Sequence, residues 1–496
     1  MDAKNRLLAG LVIVLVVVVV ALAVIPIGAP RPRPATAPIG EFSSARALVI
    51  LRQIAAEPRP LGSPRARAAR ALICAQLARL GLRPHVQTAA IVSALSPRVA
   101  GTVHNVVGRL EGRDPTRAVL LMAHYDSVPS APGAADDGSG VAALLEAARA
   151  LRAGPAPRND VIFLFTDGEE RGLLGAQAFL RDDPWAFATG VVLNFDSPGS
   201  SSPLLMYETS AGNGLLVREY LAATQPYASS LMNEVSRRQP IVSDFRPFLA
   251  RGAAGMSFGM LDGPAYNHTA YDSLAHFREA GLQNEGETAL ALARHFGALD
   301  LWSTQRPDAV YFDVIGGLAV AYPQSWATAF LVLAPALLAN AIAIAVRRRL
   351  LTGAGLAWAA LGTAVTLGVC LMAMGIVWTM YRTAYEERPW SDTGVVVSDW
   401  YRIGLVLVAA ASYWPPTPCS CGGCASGISP RSPSPGGWSP AWPSASSLPA
   451  EATCSPGRSS AARWGLPAPP CSERARPSRA PACSSPLPAR SPVSCS

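Results

Sequence analysis

Residues 124–140 read HYDSVPSAPGAADDGSG. They follow a short apolar run, Ala118 to Ala123, with the length and composition of a buried strand, which delivers His124 to that strand's carboxyl end. Asp126 sits two residues on, and after a loop of Pro and Gly come Asp136 and Asp137. The chain then turns at once into GSGVAALLEAARAL, whose apolar residues recur at three- and four-residue steps, as on one face of a helix. Strand, acidic loop and helix begin a wound α/β sheet, where ligands settle at the carboxyl ends of strands. A histidine and carboxylates gathered there point first to a metal ion.

The alternation continues. Asp160 to Thr166 reads as a buried strand ending at Asp167-Gly168-Glu169-Glu170, with a helix following through Phe179. Gly190 to Asp196 is another strand closing on a carboxylate. Ala254–Met260 reads as a further strand, and Ala265–Asp272 beyond it carries His268. Upstream, Ser43 to Gly81 is expected to hold two amphipathic helices separated by Pro58–Pro64, with strands at Arg83–Thr88 and Val103–Leu110. Arg65, Arg67 and Arg70 read as a solvated helix face, and His104 as a structural histidine.

His124 and His268, with Asp136, Glu170 and Asp196, offer one imidazole per metal and a carboxylate able to bridge. Imidazole with carboxylate oxygen suits zinc and leaves positions open for water and substrate. Two such ions about 3.5–4 Å apart polarise a carbonyl and hold a hydroxide between them. The water's proton needs a base, and Glu169, adjoining Glu170, is placed to take it and pass it to a leaving amine. Asp126 is read as the carboxylate that orients the His124 ring. Each signal alone is weak, since a Glu-Glu pair at a strand end is often a helix-start charge pair. Their succession on strand ends carries the reading.

The segments HYDSVPSAPGAADDGSG, FTDGEERGLLGAQAF, NFD and HTAYD together resemble the dizinc aminopeptidase family, which includes secreted bacterial leucine-type aminopeptidases, glutamate carboxypeptidase and the transferrin receptor. The resemblance covers about residues 45–300. It implies a zinc-exopeptidase-like three-layer α/β/α domain around a mixed central sheet. It further implies two Zn2+ ions bridged by Asp136, the first of the Asp-Asp pair, with His124 and Asp196 on one ion and Glu170 and His268 on the other. Glu169 matches the family's general base. The implied activity is zinc-dependent hydrolysis of N-terminal peptide bonds in peptides with a free N-terminus, through a hydroxide bridging the ions. The family often has a tyrosine just before the last histidine that helps stabilise the oxyanion; here Asn267 holds that place and Tyr266 stands one residue back. Two other classes fit the same pattern. A glutamate-carboxypeptidase-like hydrolase needs arginines for a substrate carboxylate, with Arg246 and Arg251 the candidates. A catalytically inactive binding module predicts lost ligands, whereas every ligand position here is filled.

Composition adds a membrane. The 496-residue chain is 50% hydrophobic and 15% charged, apolar for a soluble protein. The run from Leu7 to Ile27 spans a bilayer, and Lys4 and Arg6 keep the N-terminus cytoplasmic. Its length and the lack of a small-x-small site favour an uncleaved anchor over a cleaved signal peptide. Trp326–Val346, closed by Arg347, Arg348 and Arg349, is a second span; Leu356–Tyr381 is a third, leading outward to Tyr385–Trp390. That topology is similar to the membrane-anchored branch of the family, the endoplasmic-reticulum metallopeptidases and vacuolar membrane proteases. It sets the metal site outside the cytoplasm, periplasmic in a bacterium or lumenal in a eukaryote. The expected organisation is an anchor (1–30), a linker (31–42), a peptidase domain (43–303), a connector (304–325), two transmembrane helices (326–381), a loop with a truncated span (382–414) and a disordered tail (415–496).

The net charge of +8 excludes less than it suggests. Seven arginines against Glu451 and Glu473 in the tail account for about +5 of it, and the body's basic residues are scattered without interleaved aromatics, so nucleic acid is not an expected partner. Seven of nine cysteines lie after residue 414; Cys74 and Cys370 alone build neither a disulfide framework nor a thiolate metal site. From Pro415 the chain is Pro, Ser, Arg, Cys and Gly, which cannot bury a core, and the apolar run from Ile403 stops near Trp414, too short to cross a bilayer. The expectation is out-of-frame translation of a GC-rich gene, with no metal at Cys419-x-Cys421-x-x-Cys424. Resequencing codons 405–420 tests it.

Overall fold

A computed structural model describes residues 30–386, apart from 96–97, 239–242, 264–265 and 316–317. The expected N-terminal anchor, the truncated span at 403–414 and the tail with its cysteine cluster lie outside the described residues.

Seven strands form one sheet in the order β1-β2-β4-β3-β5-β7-β6. They are β1 (His85–Val92), β2 (Ala100–Leu110), β3 (Ala118–His124), β4 (Val161–Thr166), β5 (Thr189–Phe195), β6 (Ser201–Thr209) and β7 (Gly255–Asp262). β4, β3, β5 and β7 run parallel, while β1 and β2 on one flank and β6 on the other pair antiparallel, so the sheet is mixed. The helices of this part are α1 (Ser44–Ile54), α2 (Pro64–Arg79), α3 (Gly140–Arg152), α4 (Leu174–Asp182), the single turn α5 (Trp185–Ala188), α6 (Gly214–Ala223), α7 (Ser230–Ser236), α8 (Phe245–Ala250) and α9 (Glu279–Ala298).

The composition of β3 follows from its place. Every residue of AVLLMAH is buried, because helices cover both faces of a parallel strand and leave no side for polar residues. Val119, Leu121 and Ala123 pack into the core shared with α1, α2, α3 and α9, whereas Leu120 and Met122 meet α4 and α8 on the other face. Three layers result. The two early helices start where their caps dictate: Ser43 Oγ accepts from Arg46 N, and Ser63 Oγ from Ala66 N with Pro64 at the first helical position. β1 and β2 differ from the expected strands, shifted or extended because antiparallel pairing carries them from His85 opposite Val107 to Val92 opposite Ala100. Arg65 pairs with Glu57 on the exposed face of α2, but Arg70 turns half-buried toward Tyr125. His104 stays in β2, its Nδ1 3.0 Å from Thr88 Oγ1.

The flanking stretches are ordered against this domain. Within 31–42, expected as a linker, Arg33 N donates to Gln283 Oε1 at 3.0 Å and the Arg33 carbonyl accepts from Ser43 Oγ. Within 304–325, expected as a connector, β8 (Ala309–Ile315) and β9 (Leu318–Pro323) form an antiparallel hairpin whose Tyr311 is buried in the core. Two apolar helices follow, α10 (Gln324–Arg347) and α11 (Gly353–Glu386). Among the described residues α10 is the one helix long and apolar enough to cross a membrane, with mean hydropathy 2.4 and none of that stretch buried. The other expected span, Leu356–Tyr381, falls within α11, whose apolar stretch among the described residues is Gly353–Val369.

Candidate metal centre

The four parallel strands bring their carboxyl ends to one edge. His124 closes β3, Glu169 and Glu170 follow β4, Asp196 follows β5, and His268 lies in the turns after β7. The chain steps from β3 out to β4 and returns past β3 to β5, so the strand order reverses beside His124 and leaves a crevice there.

Asp136 stands at the centre. Its Oδ1 lies 2.9 Å from His124 Nε2 and its Oδ2 3.1 Å from His268 Nε2, one oxygen to each imidazole. Asp196 Oδ1 is 4.0 Å from His124 Nε2, and Glu170 Oε2 is 3.2 Å from His268 Nε2. Two groups able to hold a cation therefore share Asp136: His124, Asp136 and Asp196 on one side, and Asp136, Glu170 and His268 on the other, each with its donor atoms within 4.8 Å of one another. Asp137, next in sequence, points elsewhere. Its Oδ2 accepts from His124 N and its Oδ1 from Gly140 N, both at 3.1 Å, which fastens the start of α3 to the end of β3. A Cβ at 140 would lie 2.4 Å from Asp137 Oδ1, so a larger residue there would have to push that carboxylate off its two N–H donors.

A layer of polar contacts holds this set. Asp126 Oδ1 is 3.5 Å from His124 Nδ1 and accepts from the backbone N–H of Glu169 at 3.1 Å, tying the loop after β3 to the loop after β4. Asp272 accepts from Ala135 N at 2.7 Å and Asp136 N at 3.2 Å, so the turn bearing Asp136 hangs on one carboxylate. Arg59 is fully buried and donates to the carbonyls of Tyr125, Pro132 and Gly133, cinching the loop from the other side. Asp244, at the start of α8, reaches Thr166 Oγ1 at the end of β4. Of the sequence-derived set, Tyr266 has its ring contacts among the described residues with Tyr271 and His276, 5.8 and 5.1 Å between centroids. The arginines considered for a substrate carboxylate have partners: Arg246 stands 3.3 Å from buried Glu208, and Arg251 donates to the Leu180 carbonyl.

The electrostatics fit a cation. Asp126, Asp136, Asp137, Glu169, Glu170, Asp196 and Asp244 crowd around two imidazoles, and burying unpaired carboxylates is costly. Burial raises Glu169 well above the ordinary carboxylate range, with Asp196, Glu170 and Asp244 adding to it against His124. Burial likewise brings Asp196 and Asp244 up to about 7, against the pull of His124 on Asp196 and of the Thr166 bond on Asp244. Burial would lower His268, but its bonds to Asp136 and Glu170 push it up to about 11. Asp126 Oδ2, Glu170 Oε1 and Asp244 Oδ1 are buried with no hydrogen-bond partner, and positive charge is what such atoms lack. One imidazole and two or more carboxylate oxygens per position is a donor set that zinc accepts.

The sequence match agrees with this geometry. Residues 105–293 match the family model of Peptidase family M28. The chain is similar to mouse endoplasmic reticulum metallopeptidase 1, 33% identical over 232 residues, which is 45% of this chain and 26% of that protein. It is also similar to the vacuolar membrane protease of Yarrowia lipolytica, 31% identical over 229 residues, covering 45% of this chain and 23% of that one. The chain thus spans about a quarter of the length of the curated relatives it matches. Among solved structures it is similar to a Zn-dependent exopeptidase from Parabacteroides distasonis, with TM-score 0.43 and 20% identity over 52% of this chain and 99% of that chain.

Sequence reasoning passed over Arg59, Asp244 and the role of Asp272 around this centre. Arg59 lies in a proline-rich separator between helices, and nothing local signals that it folds back on residues 125–133. Asp244 leads a six-residue helix, too short to show a period. Asp272 had a signal, its place in the HTAYD segment beside His268.

Proposed function

We propose that this chain is a membrane-anchored, zinc-dependent exopeptidase that removes residues from peptides with a free N-terminus. The observation that carries the reading is Asp136, whose two carboxylate oxygens address His124 and His268 separately. His124 and Asp196 would hold one zinc, Glu170 and His268 the other, with Asp136 shared. The ions, when bound, supply Lewis-acid polarisation of the scissile carbonyl and of the attacking water. Glu169 takes the proton from that water and returns it to the leaving amine, the role its place beside the ligand Glu170 allows. Asp126 fixes the His124 ring chiefly through its backbone carbonyl, 3.2 Å from Nδ1, with its carboxylate 3.5 Å away, and through the Glu169 N–H it holds the loop that presents the base. Tyr266 is the candidate donor to the oxyanion. The span α10, followed by Arg348 and Arg349, sets its arginine end in the cytoplasm and the metal site on the opposite side. The pairing of Arg246 with Glu208 favours the aminopeptidase over the carboxypeptidase reading, because its guanidinium is engaged.

The test is release of nitroaniline from aminoacyl-nitroanilides by the full chain in detergent, beside matched N-blocked peptides, with chelator and with zinc restored. Activity on free N-termini only, lost with chelator and in Glu169→Gln, is the expected result. Cleavage of blocked peptides from the carboxyl end, or two bound metals with no turnover on any peptide, would refute it.

A further inference from the structure

The β8–β9 hairpin breaks the rule for a sheet with one face on a core. On β8 the odd-numbered side packs inward: Tyr311 is buried, its N–H donates to Ser230 Oγ at 2.9 Å, and Asp313 N donates to the Ala228 carbonyl at 3.1 Å. The other face should be polar if water covers it. It is instead Phe312, Val314, Leu318 and Val320, exposed by 39, 43, 63 and 40%, with Tyr322 at their end. Register puts Phe312 opposite Val320 and Val310 opposite Tyr322, so these side chains form one continuous apolar surface.

What covers it follows from what adjoins it. β9 ends at Pro323 and α10 begins at Gln324, with no residue between, and Gln324 N donates to the Asp308 carbonyl at 2.9 Å. An aromatic chain crosses that junction. Phe312 meets Tyr322 at 6.5 Å, Tyr322 meets Phe330 at 5.5 Å, and Phe330 meets Trp326 at 6.3 Å between centroids. α10, at 24 residues, is about 36 Å long against a hydrocarbon layer of about 30 Å, so its first turn lies at the membrane interface, where Trp and Tyr collect.

Resting on the reading of α10 as a membrane span, we propose that the outer face of the β8–β9 hairpin is embedded in the lipid interface. The hairpin is stitched to residues 228–230 on one side and joined to α10 on the other, so embedding it fixes the tilt of the seven-stranded domain over the bilayer. A lipid surface suits this face better than a protein partner, because the same aromatic row runs without a break onto a helix whose apolar stretch is wholly uncovered.

The test uses the full chain reconstituted in phosphatidylcholine vesicles, with a fluorescent amino acid placed singly at Phe312, Val320, Leu338 of α10 or exposed Phe187 of the domain. Quenching by brominated lipid is compared with quenching by aqueous iodide. Loss of emission to brominated lipid at 312, 320 and 338, with iodide quenching alone at 187, is the expected result. Lipid quenching at 338 with iodide quenching at 312 and 320 overturns the proposal and leaves the span intact. Protection of 312 and 320 from both quenchers also overturns it, since a protein surface then covers the face. Iodide quenching at 338 removes the span reading, and the proposal falls with it.

Discussion

Asp272→Asn separates the positioning of the metal site from the stability of the fold. The carboxylate accepts two backbone N–H groups, from Ala135 at 2.7 Å and Asp136 at 3.2 Å. An asparagine keeps one oxygen and turns an NH2 group toward the other N–H. One charge-assisted bond is lost, about 1.5–3 kcal/mol, and a buried donor is left unmet, about 1–3 kcal/mol. Against that, burial has brought Asp272 from 3.8 up to about 6, with Asp136 repelling it and the N–H bonds and Arg59 only partly compensating. Removing the charge at pH 7 recovers about 3 kcal/mol at 1.36 kcal/mol per unit. The relief offsets part of the losses, so net destabilisation is about 0–3 kcal/mol. The turn carrying Asp136 nevertheless loses its anchor, and contacts of this kind are worth about 10–100-fold in metal affinity. Zinc competition against a chromogenic chelator, beside urea unfolding in excess chelator, measures both. Unchanged zinc affinity would refute the argument, as would wholesale unfolding.

Asp136→Ala should abolish binding of both ions, whereas Glu170→Ala should leave one; metal content by mass spectrometry after gel filtration decides, and equal content in the two variants would count against a shared aspartate. Gly286→Ala should destabilise the domain by about 1–3 kcal/mol or more, because a Cβ would sit 1.9 Å from the buried Phe42 ring. The unfolding midpoint reads it, and the added Phe42→Ala change should make the loss less than additive. Glu219 is raised by burial, but its bonds to His295 (2.7 Å) and Arg218 hold it below the ordinary 4.5 in the folded state. A depressed folded value gives stability that is present above 4.5 and is lost as pH falls through the folded value. Glu219→Gln should therefore flatten the acid side of the stability profile below that point, followed by unfolding at pH 3 to 7.

The sequence announces what is local in cause. β3, β4 and β5 are uninterrupted apolar runs because both their faces are covered, and the residues that close them are polar because they stand at the sheet's edge; run and edge are adjacent in sequence, so the site could be read from strand ends. His124 and Asp136 are likewise joined by a single loop. Arg59, in contrast, acts on carbonyls of residues 125–133, and Asp244 on Thr166, through contacts that exist only after the layers stack. No period or motif encodes such meetings. The hairpin β8–β9 is not legible: residues 304–325 read as a connector, because an apolar outer face in place of a polar one erases the alternation that marks a half-buried strand.

Asp136 also has a meaning for the chain as a polymer. By addressing His124 with one oxygen and His268 with the other, it makes any cations held there a clasp between the first parallel strand and the turns after the last. Closing a long loop confers stability that grows only slowly with loop length, which makes a clasp most effective between distant segments. The body has only Cys74 and Cys370 for covalent staples, and Cys74 is a free thiol. A domain so built would be tied shut by the same ions proposed for its chemistry.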